Sequence, residues 1–296
     1  MAGLTDFASA EYLNYVTGQL VTPALPAIWM GLFTTAPTSD SGVTGAVEVS
    51  GGAYARVQIA GTATTNGTTA SGNPTLHFAS TPTWIVAGMS IRDVTTAASI
   101  SAATTVLSTT GTTVTMSANA AGAGVGGTDV ICFSAFAPPI ASSGAEPATI
   151  SGFSQNTNTS FSFVQSTASW GTVVAFGLFD AVTSGNLRWW DFLGNFAWKP
   201  FSCSSASPGT LTAPAHGYSN GDPVVVTAKF DGTTLPTTGG SWAGALTVAG
   251  VSADTFTAGV NTTSVGSGMV RKILQQSVPI NITVTFGTSS LTLSLA

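Results

Sequence analysis

Apolar and polar positions along this chain alternate in short runs far more often than they follow a helical period, which predicts a mainly β protein. The pattern centres on residues 169–193, SWGTVVAFGLFDAVTSGNLRWWDFL. Val173 to Phe179 is an almost unbroken apolar run, rich in β-branched and aromatic residues, and reads as a strand buried on both faces. Gly177 within it marks a bulge or the close approach of a neighbour. Asp180 ends the run, Thr183-Ser184-Gly185-Asn186 carries turn chemistry, and Leu187 to Leu193 returns as the second arm of a hairpin. Pro26 to Phe33, PAIWMGLF, has the same make-up, with glycine near its centre. The two Gly-Leu-Phe strands are therefore expected to be neighbours in one sheet.

One stretch follows a different period. Residues 4–20, LTDFASAEYLNYVTGQL, place Phe7, Leu13, Val16 and Leu20 near one face with Tyr12 beside them, which predicts a helix packed on the sheet. Thr5 is the expected N-cap, Asp6 and Glu11 lie toward the positive end of the dipole, and Gly18 and Pro23 bracket the far end. Elsewhere Glu48 to Arg56 leads into a strand ending near Ile59, and the alternation predicts strands at Thr75–Phe78, Met89–Val94, Thr104–Leu107, Thr112–Met116 and Asp129–Phe133. More follow at Ala148–Gly152, Ser160–Val164, Pro223–Ala228, Ala245–Val251, Asp254–Ala258, Met269–Ile273, Ser277–Phe286 and Ser290–Leu295.

Texture divides the chain. Residues 62–134 are dense in Thr, Ala and Gly, and 200–272 break the texture again with turn clusters such as Ala215-His216-Gly217-Tyr218. The pieces 1–61, 135–199 and 273–296 together make about 150 residues, the usual size of one domain. The expected architecture is an antiparallel β-sandwich core, discontinuous in sequence, with one N-terminal helix and two small β domains inserted at 62–134 and 200–272.

Composition narrows the function. Only 6% of residues are charged, against the usual ~25%, while 44% are apolar and 34 are glycine. Such a surface suits turn-rich β folds and proteins partly buried in assemblies. A net charge of −5, with no Lys or Arg before Arg56, argues against nucleic acid and against anionic membrane surfaces as partners. No apolar run approaches the ~18 residues of a membrane span, and the N-terminus lacks the basic segment and apolar core of a leader. Cys132 and Cys203 lie far apart without metal spacing and are expected to be buried free thiols.

The inventory of reactive groups predicts no enzyme, no cofactor and no metal. His77 and His216 are the only histidines, and His216, before a Gly-Tyr turn, reads as a structural turn residue. No nucleophile elbow occurs, and Asp222, Asp231 and Asp254 lack calcium-loop spacing. Gly122 to Gly127 spells G-x-G-x-x-G, but the strand expected at Asp129–Phe133 stands where a dinucleotide site needs a helix. Asp180 and Asp191 flank the hairpin at positions a glycosidase pair would use, yet they read more simply as a strand-end turn residue and a partner of Arg188. Trp170, Trp189, Trp190 and Trp198 gather around the hairpin. Adjacent strand residues point to opposite faces, so one of Trp189 and Trp190 is expected in the core and the other outward, and the four are the candidate interface residues.

Several separated motifs of the core carry a resemblance. They are Leu13-Asn14-Tyr15-Val16, Ile28-Trp29-Met30-Gly31-Leu32-Phe33-Thr34-Thr35-Ala36-Pro37, and Glu48-Val49-Ser50-Gly51-Gly52-Ala53-Tyr54-Ala55-Arg56. After them come Trp170-Gly171-Thr172-Val173, Phe176-Gly177-Leu178-Phe179-Asp180-Ala181, Ser184-Gly185-Asn186-Leu187 and Leu291-Thr292-Leu293-Ser294-Leu295. In this order they resemble a family of tailed-bacteriophage structural proteins, commonly labelled tail fibre or virion-associated proteins. The two inserted segments resemble modules found within other phage structural proteins. The resemblance implies a non-enzymatic component of the virion exterior, tail-associated or capsid-decorating, made in the host cytoplasm. Its expected partners are copies of itself, as a trimer, and other virion proteins. A host-surface glycan-binding adhesin is the alternative reading.

Overall fold

The computed structural model describes residues 3–17, 27–38, 42–96, 98–136, 153–155, 159–194, 196–228, 234–290 and 292–294. The protein is mainly β, with 37% strand and 4% helix, and every strand pairing among the described residues is antiparallel. In chain order, β1 (Gly3–Leu4) precedes helix α1 (Asp6–Val16), then come β2 (Ile28–Thr35), β3 (Val47–Glu48) and β4 (Val57–Thr64). The next segment supplies β5 (Thr75–His77), β6 (Ser90–Asp93), β7 (Val106–Thr109), β8 (Thr113–Met116) and β9 (Val130–Ser134). The middle of the chain gives β10 (Phe153–Gln155), β11 (Phe161–Ser162), β12 (Gly171–Val173), β13 (Ala175–Phe179) and β14 (Leu187–Phe192). Then follow β15 (Lys199–Cys203), β16 (Thr210–Thr212), β17 (Pro223–Thr227), β18 (Leu246–Thr247), β19 (Thr255–Thr257) and β20 (Gly266–Lys272). The chain closes with β21 (Gln276–Val278), β22 (Thr285–Phe286) and β23 (Thr292–Ser294). The strand expected at 148–152 lies outside the described residues.

The principal sheet runs β1-β14-β13-β2-β4-β9-β6, with β3 beside β2. At its centre the two Gly-Leu-Phe strands are neighbours, as their shared make-up predicts, and Gly31 stands directly opposite Gly177. Side chains alternate cleanly about that pair. Met30, Leu32, Phe176 and Leu178 enter one large apolar cluster, while Phe33, Ala175 and Phe179 enter a smaller cluster on the opposite face. Every residue of β13 is buried because both faces of the sheet are covered.

The large cluster is covered by two further layers. One is a ribbon in which β10, β11 and β12 pair with β23, β22 and β21, sending Phe161, Phe163, Trp170 and Val278 inward. The other is the three-stranded sheet β5-β8-β7, which contributes Leu76, Val106, Val114 and Met116. Within 62–134, β4 continues from the core, and β9 and β6 extend the principal sheet. That segment therefore shares one sheet and one apolar cluster with residues 27–61. Residues 199–272 differ: they form a six-stranded sheet, β18-β17-β20-β15-β16-β19, around a separate cluster containing Phe201, Leu211, Val224, Phe256 and Val270. Its first and last strands, β15 and β20, pair with each other, so the segment leaves and rejoins the core at adjacent points.

Helix α1 starts where the sequence places it. Thr5 is buried, its Oγ1 accepts the Ala8 N–H at 3.4 Å, and its hydroxyl donates to the Leu187 carbonyl at 2.6 Å. The apolar stripe, however, is not packed on the sheet: Phe7, Leu13 and Tyr12 are 42%, 58% and 62% exposed. The helix is instead fastened by Thr5 and by an ion pair between Glu11 and Arg188, with the Arg188 guanidinium over the Phe7 ring. These polar anchors at β14 fix the helix without covering its stripe. The Val16 side chain and Leu20 lie outside the described residues.

Candidate interface site around the tryptophan hairpin

The hairpin formed by β13 and β14 carries the candidate tryptophans. A bulge between Leu178 and Phe179 shifts the register, so Leu178 faces Trp189 while Phe179 faces Leu187. Trp189 enters the large cluster and Trp190 the smaller one, at 8% and 2% exposure. The expectation that one of them points outward is corrected here: opposite faces are occupied as expected, but both faces of the sheet are covered. Neither indole N–H finds an acceptor among the described residues. Trp170 is buried too, donating from Nε1 to the Gly52 carbonyl at 2.9 Å and meeting Tyr54 edge-on at 5.4 Å. Trp198 is half-buried, with the Arg271 guanidinium 4.8 Å from its ring centroid.

The motif Glu48 to Arg56 proves to be a clamp. Arg56 makes a fork to Glu48, Nε to Oε1 at 2.8 Å and Nη2 to Oε2 at 2.7 Å. Its Nη1 donates to the carbonyls of Ala181 and Ser184 at 2.9 and 2.6 Å, and its guanidinium lies 3.3 Å above the Phe179 ring. One arginine thus closes the hairpin loop over the edge of the first strands. Tyr54 completes the group, donating to Glu48 at 2.9 Å and accepting the Leu32 N–H at 2.8 Å. Burial, then the Glu48 charge, push the Tyr54 hydroxyl far above its usual range and keep it a neutral donor. Gly52 has φ +54 and lies so close to Ala168 that a Cβ would sit 2.9 Å from its carbonyl oxygen, so the motif needs glycine there.

The carboxylates flanking the hairpin are tied into separate structural pairs. Asp180 accepts from the Asn186 backbone N–H at 2.7 Å and side-chain amide at 3.0 Å, as a strand-end turn residue does, and Arg188 lies at 3.6 Å. Asp191 pairs with Arg271; Arg188, its expected partner, turns to Glu11 and Asp180. Residues 188 and 191 are three apart on a strand, which sends their side chains to opposite faces.

The remaining groups singled out from sequence have structural surroundings. His216 is buried, its Nδ1 accepting the Tyr218 N–H at 2.9 Å and its Nε2 3.1 Å from the Ser252 carbonyl, which fixes the Nε2-protonated tautomer. Tyr218, pushed up to about 12 by burial and the Asp222 charge, reaches the Val270 carbonyl at 3.3 Å. The glycine loop at 122–127 is tied by Asp129, which accepts the Gly126 N–H at 2.7 Å, and runs into β9. Cys203 is buried and Cys132 half-buried, both free, and burial raises both thiols. No group of three or more metal-binding side chains occurs among the described residues, and no helix among them is long and apolar enough to cross a membrane.

A cleft of about 280 Å³ opens beside the hairpin, between the smaller cluster and the six-stranded sheet. Trp190, Phe192 and Trp198 line it from one side and Val225, Thr227 and Trp242 from the other. Trp242 is absent from the sequence-based site, because nothing in its Gly-rich surroundings ties it to the hairpin.

Comparison with known proteins adds one finding to this geometry. No curated protein and no solved structure matches the chain. The family described as Podophage GP4 fiber I protein gp80 matches residues 3–137 and, in an overlapping second match, residues 109–196. The matched span contains helix α1, the principal sheet, the Glu48–Arg56 clamp and the tryptophan hairpin, and ends before the six-stranded sheet. Covering about two thirds of the 296 residues, it shows that the chain belongs to the podophage GP4 fiber I protein gp80 family of phage fibre proteins.

Proposed function

We propose that this protein is a non-enzymatic structural component of a tailed-phage virion, placed on the particle exterior and acting through homo-oligomeric assembly with itself and with other virion proteins. The observation that carries the reading is the fibre-family match over the sheet, clamp and hairpin. Two surface features support assembly. The stripe of Phe7, Leu13 and Tyr12 stands open on α1, and Val164, Ile280 and Ile282 stand open along the ribbon. Apolar groups so placed are suited to burial by a neighbouring copy or virion protein. In this reading Trp170, Trp189 and Trp190 hold the shape of the subunit from within. The inserted segment 200–272, with its own sheet and apolar cluster, elaborates a fibre-type core whose function is architectural.

The test joins mass spectrometry of purified virions with light scattering on the purified chain. The chain is expected as a stoichiometric virion component and, in solution, as a symmetric oligomer with the mass of a trimer. Absence from purified particles, together with a monomeric mass at micromolar concentration, would overturn the proposal.

A further inference from the structure

The ribbon laid over the large apolar cluster carries two bare strand edges. β11 and β22 form a two-stranded sheet, so neither has a second strand neighbour among the described residues. Their pairing runs past that short ladder: the Phe163 N–H donates to the Val284 carbonyl and the Ser166 N–H to the Ile282 carbonyl, both at 2.9 Å. The two edges are Ser160-Phe161-Ser162-Phe163-Val164 and Ile282-Thr283-Val284-Thr285-Phe286, with no glycine, proline or charge in either. Phe161 and Phe163 are buried, and Phe161 stacks on Phe286 at 5.4 Å, which fastens both strands to the core. The opposite face is open. Ser162 and Thr285 are exposed, their hydroxyls bonded to each other at 2.7 Å, and Val164 is 57% exposed. Natural edges are commonly guarded by lysine or proline, because a bare strand of high β propensity recruits another chain. Here no residue from 159 to 179 or from 273 to 296 is charged, although the chain carries 7 basic and 12 acidic residues.

We infer that these edges are the seam between copies of this chain, with β22 of one copy hydrogen-bonded, antiparallel, to β11 of the next. The seam rests on the homo-oligomeric reading above and specifies its contact. Within one ribbon β11 and β22 run antiparallel. Copies rotated about an axis parallel to the strands keep their directions, so each β22 edge meets an antiparallel β11 edge. One repeated contact then covers both edges, and three copies close it into a continuous ring. A different protein would have to supply two unlike strands to do the same. The ribbon's inner face is taken by its own core, so its outer face turns to the axis. There Ser162, Val164 and Thr285 of every copy lie near their own equivalents. Any charge at those positions would face its like, and copies of a chain with a net charge of −5 already repel one another. An uncharged ribbon is therefore suited to meeting itself.

The test uses the full chain. Light scattering gives the mass, and hydrogen exchange read by mass spectrometry gives the protection of each strand. In a lone ribbon every second amide of β11 and β22 faces the open edge and exchanges freely, whereas in the assembly both sets are bonded. Peptides covering 160–164 and 282–286 should therefore exchange about tenfold or more slowly in the oligomer than in the chain dissociated by dilution. Val164→Lys and Thr285→Lys, both at exposed positions, should reduce the mass to that of one chain, 29.6 kDa, with circular dichroism and melting as in wild type. Val265→Lys, 74% exposed beside β20, should leave the oligomer intact. Exchange on wild type alone decides the matter should a lysine variant fail to fold. An oligomer whose edge amides exchange as fast as in the dissociated chain, or one that survives both lysine substitutions in folded chains, would overturn the seam and leave the assembly proposal standing. A wild-type chain that is monomeric at micromolar concentration would overturn both.

Discussion

Adding one methyl group at Gly177 should destabilise the protein at the centre of its principal sheet. A Cβ built there would lie 2.6 Å from Leu187 Cδ1 and 2.6 Å from Phe33 Cε2. Neither neighbour can yield cheaply, because Phe33 and Leu187 are both buried in the smaller cluster. Gly31, directly opposite on β2, is equally tight: its Cβ would meet Glu48 Oε1 at 2.7 Å and Phe179 Cε2 at 2.9 Å. Overpacking a fixed core costs about 1–3 kcal/mol, while alanine in a strand recovers roughly 0.5–1 kcal/mol of chain entropy. The net expectation for Gly177→Ala is a loss of about 1–2 kcal/mol, or roughly 2–8 °C in melting temperature for a unit of this size. Gly31→Ala should cost a similar amount by pushing the Glu48 carboxylate out of its fork with Arg56. The double variant should depart from additivity, since the two methyl groups occupy one cross-strand pair. Gly111→Ala is the control, because no atom lies within 4 Å of its built Cβ. Urea titration followed by tryptophan emission measures the four variants against wild type. A Gly177→Ala chain as stable as wild type would refute the claim that these strands meet too closely for any side chain.

Other expectations follow from the same contacts. Arg56→Lys keeps the charge but loses the fork and the two carbonyl contacts, so it should cost about 2–4 kcal/mol by chemical denaturation, whereas an exposed ion pair would cost under ~1. Burial raises the Asp180 carboxyl, but the Asn186 hydrogen bonds and the Arg188 charge outweigh it and hold the group below its ordinary 3.8; Asp222 is likewise held down, by Lys272 and the Ser219 N–H. Their stabilisation is therefore complete above about pH 4 and lost as pH falls through the depressed native values; melting followed down to pH 2 should show it, and Asp180→Asn should flatten part of the fall. Replacing 200–272 by a short Gly-Ser linker should leave the 27–194 core folded by circular dichroism, because Lys199 pairs with Val270 and the segment has its own apolar cluster. The same replacement of 62–134 should unfold the core, because it removes β9 and the Leu76, Val114 and Met116 contribution to the shared cluster.

Much of this architecture was legible because alternation survives wherever one strand has two distinct faces. The shared Gly-Leu-Phe pattern identified β2 and β13 as neighbours, and the sequence after the glycine loop identified β9. β15 escaped notice because Pro200 interrupts it, although Phe201 and Cys203 alternate inward on either side of Ser202. Trp189 and Trp190 show a deeper limit. Alternation assigns side chains to opposite faces but cannot say whether a distant segment covers both. Helix α1 shows the converse, for its apolar stripe predicts burial while Thr5 and Glu11 supply the fastening. The Arg56 clamp was not read from the sequence, where Glu48 to Arg56 stood only as a motif of the resemblance. Its carbonyl partners, 125 and 128 residues away, come only from the fold.

Placement of a fibre-family structural subunit on the outside of a virion can be seen by electron cryomicroscopy of the intact particle at a resolution that traces the chain. Several symmetry-related copies are expected on the exterior of the tail or capsid, with the α1 stripe of Phe7, Leu13 and Tyr12 or the ribbon's Val164, Ile280 and Ile282 buried against a neighbour. A mature particle that lacks the chain, or carries it as isolated copies with both apolar surfaces facing solvent, would contradict it.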